Sequence, residues 1–86
     1  MIPAEGSRWA AMYRWAGEVQ GWHDECRFYQ VDEVVRGTVF YHWAGTWETK
    51  ADPRPRFTAS TERWAEWASK EGAPIGRDER LKMVPA

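Results

Sequence analysis

The sequence predicts an α+β fold: an N-terminal helix, a three-stranded antiparallel β-meander, and a C-terminal amphipathic helix packed on the sheet. Three stretches predict it. Val34 to Thr49, VVRGTVFYHWAGTWET, is dense in the β-branched and aromatic residues that suit pleated surfaces. Arg36-Gly37 and Ala44-Gly45 punctuate it, and each X-Gly pair supplies a residue able to take the positive φ of a tight hairpin turn. Trp9, Met12, Tyr13 and Ala16 fall at the i, i+3, i+4, i+7 spacing of one helix face. Trp64, Trp67 and Ala68 make an apolar stripe behind a run of capping residues.

In chain order, residues 1–6 read as a loose lead-in. Ser7 is a cap candidate for a helix running to about Gln20, with Trp15, Val19 and Trp22 as a second apolar stripe. Gly17 and Gly21 weaken that helix, each by about 1 kcal/mol relative to Ala. Tyr13, Trp15, Gly17 and Val19 also alternate, so a strand competes with it; the helix is preferred. Cys26 to Val35 reads as a strand with a bulge or break at Asp32-Glu33. A turn at Arg36-Gly37 pairs Val35 with Thr38 and Val34 with Val39. One sheet face then carries Tyr29, Val31, Val35, Phe40 and Trp47, and the other Phe28, Val34, Val39, Tyr41 and Trp43. Pro53 and Pro55 remove ladder donors, so Ala51 to Arg56 is expected as an exposed connector, with Phe57 re-entering the core. The clearest helix starts near Ser60 or Thr61 and ends near Glu71, with Glu66 and Lys70 as an i, i+4 pair and Gly72 and Pro74 as stops. Ile75, Leu81, Met83 and Val84 are anchors for a short terminal strand or a tail.

The 86 residues make one domain, 1–86, with loose ends at 1–6 and 76–86. A net charge of −1 argues against a generic polyanion or membrane-surface binder. Cys26 is the only cysteine, so no intrachain disulfide framework exists. No apolar run spans a bilayer, the N-terminus lacks signal-peptide character, and a cytoplasmic location is expected. Seven Trp, three Tyr and three Phe stand beside a single Leu, which demands an aromatic core with indole N–H groups at its rim or in an interface. The scarcity of Asn, Lys and Ile beside Ala, Gly, Arg and Trp suggests GC-rich coding, as in some bacteria and their phages.

Chemistry-bearing constellations are sparse. His23, Cys26 and His42 supply three soft ligands where a structural zinc wants four, so no metal and no cofactor are expected. Asp24-Glu25 and Asp32-Glu33 are adjacent acids that point apart, and no glycine loop matches a phosphate cradle. An enzyme is not expected. Arg27, Phe28, Tyr29, Arg36, Phe40, Tyr41, Trp43, Arg54 and Arg56 would form a stacking sheet with a basic rim, the pattern of a single-stranded nucleic-acid binder. Asp32, Glu33, Glu48 and Asp52, dispersed among them, would repel phosphate.

The preferred expectation is a small non-catalytic protein–protein interaction module. Trp, Tyr and Arg, enriched at binding hot spots, exceed what so small a core can bury. Such a module suits a phage or mobile-element inhibitor that masks a larger host defence complex. Arg54 and Arg56 on the proline-stiffened connector, with Tyr41 and Trp43 if that face is uncovered, are the expected partner-binding residues.

Overall fold

Strands account for most of this chain. The computed structural model describes residues 2–17, 22–45, 56–69 and 71–86, the side chains of residues 22 and 23 excepted. Its elements are β1 (Arg8–Ala16), β2 (Trp22–Val35), β3 (Thr38–Gly45), β4 (Arg56–Ser60), α1 (Thr61–Trp67), β5 (Ala73–Pro74) and β6 (Glu79–Pro85). The six strands form one antiparallel sheet in the order β4-β3-β2-β1-β6-β5, curled into a half-barrel with α1 on its concave side.

The expected N-terminal helix is therefore a strand. β1 pairs along its whole length with β2, from Arg8 opposite Gln30 to Ala16 opposite Trp22, and with β6 on its other side. The helical spacing of Trp9, Met12, Tyr13 and Ala16 coincided with a period-2 pattern in which Trp9 and Ala11 are buried and Met12 and Arg14 exposed. Local periodicity cannot register a partner some seventy residues away, and β6 is that partner. The C-terminal stretch, expected as a short strand or a tail, is the strand β6. It lies between β1 and β5, and together with β1, β4 and β5 it replaces the expected three-stranded meander with a six-stranded sheet.

The β2–β3 hairpin follows the expected register. Val35 lies opposite Thr38 and Val34 opposite Val39 across a turn with Arg36 at φ 49° and Gly37 at φ 79°. Positive φ at both central residues is the I′ geometry whose twist matches the flanking strands. The register shifts between Val31 and Glu33, the bulge anticipated at Asp32-Glu33. That extra residue moves Val34 onto the face of Tyr29 and Val31, so the expected division into two faces fails across it. Glu5 accepts a hydrogen bond from the Val34 N–H at 3.0 Å just past the bulge, and Gly6 and Ser7 bond the Val31 backbone at 2.8 Å each. The lead-in is thus tied to the sheet.

Gly45 takes φ 94°, but it closes β3 opposite Phe28. The strand beside β3 is β4, which begins at Arg56. The expected return through Trp47 and the Ala51–Pro55 connector lie outside the described residues, as does Lys70 of the expected Glu66–Lys70 pair.

α1 starts where expected: the Ser60 hydroxyl caps it, accepting from the Arg63 N–H at 3.0 Å. It ends at Trp67, well before Gly72. The core lies between it and the sheet: Trp9, Ala11, Tyr29, Val31, Val39, Tyr41, Ala59, Leu81 and Met83 surround a fully buried Trp64. Rings meet edge to face, with Trp64 centred 5.5 Å from Trp9 and 5.3 Å from Tyr41. Aromatic pairs prefer this arrangement, so an aliphatic-poor chain still closes a core.

Candidate functional site

Strand alternation decides where the expected partner-binding residues go. Tyr41 and Trp43 point to the concave side, whereas Arg56, directly opposite His42, lies on the convex side. Tyr41 is buried, its ring 5.5 Å from Phe57 and 5.4 Å from Tyr29. Trp43 is half-buried against the core. Arg54 lies outside the described residues. The structure therefore does not gather Tyr41, Trp43 and Arg56 onto one surface. The face carrying Tyr41 is covered by α1, and Arg56 stands apart from it.

Arg56 belongs to a charged cluster on the convex side. Its guanidinium lies 3.2 Å from a Glu33 oxygen and 5.4 Å over the Phe40 ring. Its Nε is 3.4 Å from Asp32 Oδ2, a charge contact without hydrogen-bond geometry, since that oxygen has no hydrogen-bond partner. The other Asp32 oxygen meets His42 Nδ1 at 2.7 Å. The bulge produces this grouping by placing Asp32 and Glu33 side by side against β3. A histidine oriented by a carboxylate is half of an acid–base device, yet no hydroxyl or thiol is paired with this imidazole among the described residues. Cys26 is a free thiol opposite Met12 on the β1–β2 ladder. Among the described side chains no group of three or more His, Cys, Asp or Glu could hold a metal ion.

The concave side beyond α1 carries a shallow recess of about 240 Å³ lined by Tyr13, Trp15, Glu25, Arg27 and Glu79. Arg27 pairs with Glu25 at 2.9 Å and lies 4.7 Å over the Tyr13 ring. Tyr13 and Tyr29 share a hydrogen bond between hydroxyls at 3.2 Å. Burial, reinforced by Tyr29, pushes the Tyr13 phenol well above its ordinary value, and burial pushes Tyr41 up to about 12. These phenols stay neutral and structural near neutral pH.

Of the rings considered for base stacking, Phe28, Tyr29 and Tyr41 are buried, and Arg8 lies 4.4 Å over Phe28. Trp9 Nε1 donates to the Ser7 hydroxyl at 2.9 Å, whereas the indole N–H groups of Trp43, Trp64 and Trp67 are buried without a partner.

Sequence reasoning missed the sheet's exposed edge. Among the described strands β4 lies at one edge of the sheet, with all its residues but Ala59 exposed, and Phe57, expected to return to the core, is 40% exposed while touching Tyr41 and Tyr29. The opposite edge, β5, is two residues long and contains Pro74. The composition of Arg56–Ser60 carries no signal for this, because edge position is a property of topology.

No protein-family model matches the chain, and no curated protein or solved structure matches it significantly. No helix among the described residues is long and apolar enough to cross a membrane.

Proposed function

We propose that this chain is a small non-catalytic protein–protein interaction module of the cytoplasm, and that it docks an extended segment of a larger partner along the free edge of β4. The observation that carries the reading is the asymmetry of the two sheet edges. β5 is short and proline-blocked, whereas β4 is exposed along four of its five residues. Unpaired backbone groups on an edge strand are a ready template for another strand. Beside that edge, Phe57 on the concave side and Arg56 over Phe40 on the convex side give an incoming strand a contact on either face. Masking part of a larger host complex, as a phage or mobile-element inhibitor would, is a use suited to such a module. The burial of Phe28, Tyr29 and Tyr41 weighs against the single-stranded nucleic-acid alternative, because stacking needs exposed ring faces.

Thr58→Lys tests the reading. Thr58 is exposed at the middle of β4, and a lysine there is the kind of residue that blunts natural edges. Partner capture from a host lysate should fall at least about tenfold, or about 1.4 kcal/mol, with melting unchanged. A photo-crosslinker at position 58 should label the same partner. Capture by Thr58→Lys at wild-type strength would refute the β4 edge as the docking element.

A further inference from the structure

The convex face of β1 and β6 carries an open groove of about 620 Å³, lined by Met12, Arg14, Asp24, Glu71, Arg80 and Lys82 among others. Its chemistry follows from register. Arg14 lies directly opposite Arg80, and Met12 opposite Lys82. The alternating neighbours Ala11, Leu81 and Met83 are buried toward α1, and Tyr13 packs against the same core, so these four side chains share the outer face. Across the other ladder Arg14 faces Asp24, which accepts two hydrogen bonds from it at 2.8 and 3.3 Å. That pair is matched in charge. Arg80 and Lys82 are not: among the described residues neither forms an ion pair, and Arg80 makes one long hydrogen bond, 3.4 Å, to the Gly72 carbonyl.

Like charges directly opposite one another destabilise a sheet. Here two arginines face across a ladder with a lysine next to them, and Glu71 is the remaining acid of the lining. We propose that this groove binds a phosphate group, held between the guanidinium of Arg80 and the ammonium of Lys82. A guanidinium fork matches phosphate oxygens bidentately, and an ammonium adds a point charge. Met12, 47% exposed beside them, offers an adaptable apolar surface for an organic substituent on that phosphate. The proposal is independent of the β4 docking edge, because β3 and β2 separate β4 from β1.

Amide shifts of residues 12–14 and 80–82 in the labelled full chain read the binding, titrated with inorganic phosphate, phenyl phosphate, benzoate and sodium chloride. Saturable shifts in this segment with either phosphate, beyond those caused by chloride, are expected, with Kd of about 1 mM or below. Tighter binding of phenyl phosphate assigns a phosphomonoester; equal affinity assigns free phosphate. Arg80→Gln/Lys82→Gln should weaken binding at least about tenfold with a dispersed, folded spectrum, and Lys82→Gln alone serves if the double variant does not fold. The proposal is overturned if no saturable shift appears by about 10 mM phosphate, if benzoate binds as well as phenyl phosphate, or if the variants bind like wild type.

Discussion

Trp64→Ala and Trp64→Phe together test how the aromatic core is held. Trp64 has no exposed surface and touches Trp9, Tyr41 and Trp67, so it joins α1 to the sheet. A buried tryptophan removes roughly 150–250 Å² from water, and truncation of such a ring to alanine costs about 3–5 kcal/mol. Set against a typical domain stability of about 5–15 kcal/mol, Trp64→Ala should leave the protein close to unfolding. Trp64→Phe should behave differently. It shrinks the ring, but also removes a buried indole N–H that has no partner. An unsatisfied buried donor costs about 1–3 kcal/mol, so its removal offsets much of the lost packing. The net cost of Trp64→Phe should stay below about 1.5 kcal/mol, well under that of Trp64→Ala. Urea unfolding followed by far-UV circular dichroism gives both values, since the remaining tryptophans complicate fluorescence. A change below about 0.5 kcal/mol in Trp64→Ala would refute the central role of this ring. Equal losses in the two variants would refute the unpaired state of the N–H.

Three further outcomes follow from local geometry. Arg36→Asn should stabilise by about 0.5–1 kcal/mol, because Arg36 sits at φ 49° and asparagine tolerates that region better, as calorimetry would show. Ser60→Ala should cost about 1 kcal/mol in urea unfolding by removing the hydroxyl that accepts from the Arg63 N–H. Burial raises the Tyr41 phenol from its ordinary value of 10 to about 12, so the folded state holds that proton more tightly than the unfolded chain. Its stabilisation is therefore complete below pH 10 and lost as pH rises from 10 toward 12; melting temperatures across that window should fall, and fall less in Tyr41→Phe at equal starting stability.

Several features of this protein were legible in the residues themselves. The Arg36-Gly37 turn and the pairing of Val35 with Thr38 follow from short-range chemistry, because a two-residue I′ turn fixes the register of the strands it joins. The bulge at Asp32-Glu33 and the Ser60 cap are similarly local, and the shortage of aliphatic residues required an aromatic core. What local pattern left open, long-range pairing decided. Trp9 to Ala16 satisfies both a helical and an alternating template, and only the presence of β2 on one side and β6 on the other selects the strand.

The candidate surfaces were the least legible part. Tyr41 and Arg56 are close in the folded chain yet lie on opposite faces of the sheet, so their residue types alone could not make them a common patch. Topology leaves β4 at an edge, and register sets Arg14 against Arg80. Composition determined what the core had to be made of, and turn chemistry determined one hairpin. The tertiary structure decided which strands pair, which aromatics are covered and which charges are left facing each other, because those depend on contacts between residues far apart in sequence.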